Sequence, residues 1–383
     1  MEVLSSIRNQ PMRLLVVIAS LTAEGTPVLT LDLCRQWRSM GIEAIVVCLS
    51  AGAGELASEF ARHGITVRSL NLPDAGRMRY VRLTASMYQT CREFKPVALL
   101  SMLFGWHAFL ALGARLAGVP RVVAHVGNYP PPRENPTFSK FRWLVQAGRP
   151  LTNTLVCCSR YVAQGVVERF GVSSAETEVI YNGADVEHIA SHAQVARRNR
   201  TTKQRLIVGM VARLEMHKDQ PTLIRATKLL RDAGLDVETW LIGDGSRRRE
   251  YAQLIADLGI SDVVKLLGVR REIPELLGQL DVFAFAATPD EGQGVALVEA
   301  MAAGVPIVAA DVGACREVLD RGELGLLVPP FQPVALAEAI KRVRQAPEEA
   351  IARAQLARSK ADSNFNIDSM ARAYATCLRR AAS

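Results

Sequence analysis

The sequence predicts an α/β protein of two tandem doubly wound domains, each a parallel sheet covered by helices. Three observations carry this. At 383 residues the chain is too long for one compact core. Short runs rich in Val, Ile and Leu alternate with helix-period stretches, and near-continuous apolar strands are those buried on both faces. The alternation restarts after a polar segment near residue 200, which makes two sheets rather than one.

In the first half, strands are expected at 13–19, 44–48, 66–70, 97–102, 121–125 and 154–157, with helices at 26–40, 56–63, 78–94, 108–117 and 160–170. In the second half, strands at 205–211, 237–242, 263–267, 282–285 and 305–309 alternate with helices at 220–232, 246–258, 273–280 and 295–303. Helices at 333–344, 348–360 and 367–382 close the chain. Residues 191–203 are polar, basic and without periodicity, and read as linker. The domain plan is therefore 1–185, a linker at 186–204, and 205–365, with the last helix, 366–383, expected to pack back on the N-terminal domain. Such sheets bind ligands at the carboxyl ends of their strands, and two of them facing each other predict a site in the cleft between.

A 49% hydrophobic and 22% charged composition is that of a soluble globular protein. Seven cysteines form no C-x-x-C pair and several sit in apolar runs, which predicts buried reduced thiols in a cytoplasmic protein; no Cys/His spacing suits a metal. Residues 1–12 lack the apolar core of a signal peptide. Residues 97–114 carry no fixed charge over about the minimum length for a membrane span. Gly105-Trp106-His107 interrupts that stretch, however, and it reads as a buried strand followed by a buried helix. The formal net charge of +8 suits an anionic substrate or an anionic membrane, or simply basic solvent-facing helices. With 6% aromatics, no zinc finger and no RNA-binding aromatic signature, nucleic acid is not an expected partner.

The most informative stretch is Glu291-Gly-Gln-Gly-Val-Ala-Leu-Val-Glu299, two carboxylates separated by seven residues. Gly292 and Gly294 allow close backbone approach to a ligand, and a helix beginning near Val295 offers N–H groups to an anion. Carboxylates bordering a cleft can accept hydrogen bonds from sugar or ribose hydroxyls. A solvated loop glutamate ahead of an ordinary amphipathic helix is the plainer reading of the pair alone. Upstream, Arg213 and Lys218 follow a strand end five residues apart, a fork and a point charge suited to a diphosphate. Leu241-Ile-Gly243-Asp-Gly245 makes a glycine turn at a second strand end, and Val264-Lys-Leu-Leu-Gly268 closes a third strand.

In this order and spacing, with Ala300-Met-Ala-Ala-Gly-Val-Pro306, Glu317, Gly325-Leu-Leu-Val-Pro329 and Asn182-Gly183-Ala-Asp185, the chain resembles the retaining family 4 (group 1) glycosyltransferases of the GT-B fold. The resemblance covers residues 150–345 and, more loosely, the N-terminal domain. It implies an acceptor-binding N-terminal domain and a C-terminal domain that binds a nucleotide-sugar donor. It implies that Arg213 and Lys218 hold the departing diphosphate, and that Glu299 binds the ribose. Glu291 would lie by the sugar ring, with Gly292, Gln293, Gly294 and Val295 against sugar and phosphates and Gly243 among the donor contacts. His125 resembles a histidine that reaches toward the transferred sugar, and a satisfied strand-end histidine is the plainer reading. Ser20-Leu-Thr-Ala-Glu24-Gly25-Thr26 departs from the family's Gly-Gly loop, leaving Glu24 and Gly25 as acceptor-side candidates and Glu24 equally a helix N-terminal acid. Gln293 stands where the family usually has an aromatic residue.

The expected function is retaining, metal-independent sugar transfer from a nucleotide-diphosphate sugar to a lipid-linked glycan in bacterial surface polysaccharide or lipopolysaccharide synthesis. The donor is a substrate, so no cofactor and no metal ligand are expected. A small soluble acceptor, or non-catalytic nucleotide-sugar binding, are the alternatives. A dinucleotide-dependent oxidoreductase would need a G-x-G-x-x-G turn that neither 20–26 nor 243–248 supplies. Arg77, Arg79, Arg82, Arg92 and Lys95, then Arg133, Lys140, Arg142 and Arg149, with Tyr80, Met87 and Trp143 as anchors, predict peripheral binding to an anionic inner membrane face.

Overall fold

The computed structural model describes residues 12–22, 25–50, 54–72, 78–200 and 205–380. The chain divides into two compact units, Met1–Tyr181 with Ile367–Ser383, and Asn182–Asn366. The described residues of the first unit form β1 (Arg13–Ile18), β2 (Glu43–Cys48), β3 (Thr66–Ser69), β4 (Ala98–Ser101), β5 (Arg121–Val126), β6 (Thr154–Cys157) and β7 (Thr177–Val179). They lie in the order β3-β2-β1-β4-β5-β6-β7, every neighbouring pair parallel.

Side chains alternate across a strand, so a strand covered on both faces needs an unbroken apolar run. In β1, Leu14, Val16 and Ile18 join Trp37, Phe60 and Tyr374 in one core, whereas Leu15 and Val17 join Leu83, Met87 and Leu110 in the opposite core. The last helix, Ile367–Arg379, contributes Ile367, Met370, Ala371, Tyr374, Ala375 and Leu378 to the first of these cores, a single helical face. Trp37 Nε1–H donates to the Ala371 carbonyl at 3.0 Å, and the buried Arg121 Nε–H donates to the Cys377 carbonyl at 3.1 Å. The helix is therefore built into the first unit's core.

The second unit carries β8 (Leu206–Val211), β9 (Val237–Ile242), β10 (Val264–Gly268), β11 (Val282–Phe285), β12 (Ile307–Ala310) and β13 (Leu326–Val328). Their order is β10-β9-β8-β11-β12-β13, again wholly parallel.

The expected linker is mostly helix. Val186–Asn199 is helical, capped by Asp185 accepting from the His188 N–H at 3.1 Å, and belongs to the second unit. Its buried face is Val186, Ile189, Ala190 and Ala193, a helical stripe made inconspicuous by alanine. Gly278 lets another helix approach closely, since a Cβ there would lie 2.3 Å from the Ala193 carbonyl oxygen. A further helix, Phe138–Gly148, lies in a stretch between β5 and β6 where the sequence reading placed no element. Strands β7 and β13 span three residues each, too few to show a period. Residues 97–114 divide into β4, a short turn and the helix His107–Leu116, and among the described residues no helix is long and apolar enough to cross a membrane. All seven cysteines are buried free thiols.

Candidate active site

β8 pairs with β9 on one side and β11 on the other, and the strand order runs outward in opposite directions from it. Loops leaving such a switch point diverge and open a crevice at the carboxyl edge of the sheet. Arg213 and Lys218 lie on the loop after β8, and Glu291 to Gly294 on the loop after β11. The fold of the second unit thus brings these motifs, 73 residues apart between Lys218 and Glu291, to one edge.

The Arg213 loop is held by backbone contacts. Leu214 N–H donates to the Asp244 carbonyl at 2.9 Å and Arg247 N–H to the Leu214 carbonyl at 3.0 Å. Gly243, at φ +132°, makes this proximity feasible, because a Cβ there would lie 2.2 Å from the Ala212 carbonyl oxygen. Its own N–H donates to the Gly268 carbonyl at 2.9 Å, so Gly243 serves as a strut and its N–H is not left for a donor phosphate. Gln220, which the sequence reading overlooked, is buried at the first turn of the helix Gln220–Asp232, and its Nε2–H donates to the Arg213 carbonyl at 2.7 Å. A polar residue at a helix start usually reads as solvated, and no local pattern in the sequence marks this one as buried. Arg213 itself is exposed on this loop.

Lys218 ends a single turn, Met216–Lys218, and its ammonium donates to Glu291 Oε2 in an ion pair whose side chains are only 17% and 5% exposed. Glu291 Oε1 accepts the Gly292 N–H at 3.2 Å. Burial pushes the Glu291 carboxyl up, but the adjacent Lys218 charge and hydrogen bond, with His217 and the Gly292 N–H, hold it below its ordinary value. Glu291 is therefore a carboxylate at neutral pH. Burial and the Lys218 charge push the His217 imidazole down.

Gly294, at φ +80°, caps the helix Val295–Ala302, and a Cβ there would sit 3.1 Å from the Phe285 ring. Only glycine fits that turn without strain. Val295 is the first helical residue, at the positive end of the helix dipole, and Glu299 lies a turn further in, half-buried. Gln293 is committed elsewhere. Its Oε1 accepts the Asn182 N–H at 2.6 Å and its Nε2–H donates to the Asn182 carbonyl at 2.9 Å, which fixes the side chain against the Asn182 backbone.

In the first unit, His125 lies near the end of β5 with Nδ1 2.8 Å from Tyr374 Oη, and burial pushes its imidazole down to about 4. Glu24 lies outside the described residues. Gly25 opens the exposed start of the helix Gly25–Ser39, and a Cβ there would meet nothing within 4 Å, so no close contact requires glycine at that point. Two cations, a carboxylate and a helix N-terminus at one sheet edge form a set that can bind a polyanion beside hydroxyl groups.

Known proteins carry the same organisation. The family model described as glycosyl transferases group 1 matches residues 193–360, and that described as glycosyltransferase family 4 matches residues 23–188. EpsF of Bacillus subtilis is 31% identical over 278 residues, which are 70% of this chain and 71% of that protein. The N-acetylgalactosamine-N,N'-diacetylbacillosaminyl-diphospho-undecaprenol 4-alpha-N-acetylgalactosaminyltransferase of Campylobacter jejuni is 28% identical over 233 residues, 61% of this chain and 59% of that enzyme. The crystal structure of Anabaena HepE in complex with UDP and glucose superposes with a TM-score of 0.84 at 25% identity, covering 96% of this chain and 99% of that one. The fold is the GT-B architecture of two Rossmann-like domains, and the chain belongs to the group 1, family 4 glycosyltransferases.

Proposed function

We propose that this chain transfers a sugar, with retention of configuration and without a metal ion, from a nucleoside-diphosphate sugar to a lipid-linked glycan in bacterial surface polysaccharide or lipopolysaccharide synthesis. The observation that carries the reading is the Lys218–Glu291 ion pair at the switch point, with Arg213 on the same loop as Lys218. A nucleotide sugar bound in Anabaena HepE supports the donor class, and the diphospho-undecaprenol in the name of the Campylobacter jejuni enzyme supports the acceptor class.

In the proposed reaction the anomeric C–O bond breaks as the diphosphate leaves, with positive charge developing on the ring and negative charge on the phosphate. Arg213, Lys218 and the N–H groups at Val295 stabilise the leaving group. The acceptor hydroxyl attacks from the face the phosphate is leaving, and its proton passes to the departing phosphate oxygen, so no protein nucleophile is needed. Glu299 binds the ribose, Glu291 lies by the sugar ring, and His125 meets the transferred sugar. The test is release of nucleoside diphosphate across a donor panel, with and without lipid-linked acceptor. Turnover that survives excess EDTA and needs the lipid acceptor supports the reading, whereas strict, reversible Mg²⁺ dependence contradicts the metal-independent mechanism.

We further propose that the first unit docks on an anionic membrane surface through three successive packed helices, Arg79–Phe94, His107–Leu116 and Phe138–Gly148. Exposed Arg82, Arg92, Lys95, Lys140 and Arg142 accompany exposed Met78, Val81, Leu116 and Trp143, the last 65% exposed. Arg133 is exposed just ahead of the third helix. Four of the expected contributors drop out or change role. Met87 is fully buried in the core, Arg149 is paired with Glu176 at 2.7 Å, and Arg79 lies over the Trp106 ring at 3.7 Å. Arg77 lies outside the described residues. Tyr80 is half-buried and stacks on Phe109 with ring centroids 4.4 Å apart, a packing role.

A further inference from the structure

We infer that Tyr374 is a positioning residue that fixes His125 in the tautomer with its proton on Nε2, making His125 a hydrogen-bond donor to a sugar oxygen rather than a proton acceptor. The inference rests on the proposed reading that His125 meets the transferred sugar.

Tyr374 is wholly buried on the last helix, and His125 is 4% exposed at the end of β5. Their Oη···Nδ1 separation is 2.8 Å, and among the described residues this is the hydrogen bond that Tyr374 Oη makes. A buried O–H left without an acceptor costs about 1–3 kcal/mol. A neutral imidazole accepts only at its unprotonated nitrogen. The two requirements are met together in one arrangement, with Tyr374 O–H donating to Nδ1 and the imidazole proton on Nε2. Were Nδ1 the donor, the phenol proton would have no other acceptor among the described residues.

Nε2 lies beside Gly127, where a Cβ would sit 3.0 Å away, so glycine at 127 keeps a side chain from crowding it. Burial pushes the imidazole down to about 4 and the phenol well above its ordinary value, so both partners are neutral at physiological pH. A neutral, oriented N–H suits an oxygen that needs a hydrogen bond and not a proton. The last helix, from the far end of the sequence, thereby has a part in the chemistry as well as in the core.

The test is ¹⁵N-histidine NMR of the full chain, paired with steady-state kinetics on the wild type, Tyr374→Phe and His125→Ala. In the wild type at neutral pH, His125 should show a protonated Nε2 and an unprotonated, hydrogen-bonded Nδ1. Tyr374→Phe keeps the ring volume and should lose this single-tautomer signature, with kcat lower by up to about tenfold and donor KM nearly unchanged. A wild-type proton on Nδ1 overturns the proposal without any variant. Retention of both tautomer and kcat in Tyr374→Phe also overturns it. Full turnover in His125→Ala beside an intact wild-type Nε2–H signature would instead overturn the sugar contact on which the donor role rests.

Discussion

Arg213 and Lys218 are cations on one loop, yet their removal should differ in kind. Arg213 is exposed, so Arg213→Ala should lower turnover by roughly 10²–10³ through loss of a transition-state charge contact, with the thermal midpoint nearly unchanged. Lys218 also neutralises the buried Glu291, so Lys218→Ala should combine a similar kinetic loss with about 3–5 kcal/mol of destabilisation from an unpaired buried charge. Kinetics beside denaturant unfolding separate the two, and equal stability of the variants would show that the ion pair does not support the loop. Because the Glu291 carboxyl lies below its ordinary value of 4.5, its contribution is present above that pH and lost as pH falls through the folded value. Glu299 makes a different prediction. Glu299→Ala should weaken binding of free nucleoside diphosphate in calorimetric titration while leaving the fold intact, and unchanged affinity would show the ribose assignment to be mistaken.

At the scale of elements, the loop between β11 and the helix Val295–Ala302 is stiffened at two points, the left-handed Gly294 and the Gln293 amide on the Asn182 backbone. Gln293→Met keeps the volume and removes both hydrogen bonds, leaving the Asn182 N–H and carbonyl without their partner. The expected cost is about 2–4 kcal/mol in urea unfolding, and a loss under about 0.5 kcal/mol would mean that other groups satisfy Asn182. Most elements are legible in the sequence because burial on both faces forces long Val/Ile/Leu runs, as in β1 and β5. The Glu291–Glu299 run is equally legible, since its glycines answer to backbone geometry and its apolar residues to the core. Val186–Asn199 is hidden because its buried stripe includes two alanines between polar residues. The roles of Gln293 and Gln220 are hidden for another reason. The Gln293 amide meets a backbone group 111 residues away that only the tertiary fold brings near, and the Gln220 amide meets a carbonyl on the turn of the preceding loop, so neither spacing nor composition reports them.

For the whole molecule, two buried histidines contribute to the acid response between pH 6.5 and about 4. His107 Nε2 lies 2.7 Å from Thr152 Oγ1, which itself donates to the Gly148 carbonyl, so Nε2 must be the donor. Among the described residues, Nδ1 of His107 has no partner that could accept a second proton. Burial pushes both His107 and His125 from 6.5 down to about 4. The unfolded chain therefore binds more protons between these values. The stability they contribute is fully present above pH 6.5 and is lost as pH falls toward 4, on the order of 3 kcal/mol each. Unfolding followed from pH 7 to 4.5 should show a steady decline, and a flat profile would mean that these histidines already carry charge in the fold. The membrane proposal belongs to this scale too. Each exposed basic residue near an anionic surface contributes about 1 kcal/mol, so Arg82, Arg92, Lys140 and Arg142 together suffice for reversible binding. Vesicle co-sedimentation should rise with anionic lipid and fall with salt, and equal recovery on neutral vesicles would remove this surface from the account.

The most direct test of the account is nucleoside diphosphate release from a panel of nucleotide sugars, measured with lipid-linked acceptor in the wild type and in Arg213→Ala. The account predicts that one donor class is turned over, that release matches sugar transferred to the lipid fraction, and that Arg213→Ala lowers the rate by roughly 10²–10³ at unchanged stability. Equal release by wild type and Arg213→Ala, or release that occurs without any sugar reaching an acceptor, would contradict it.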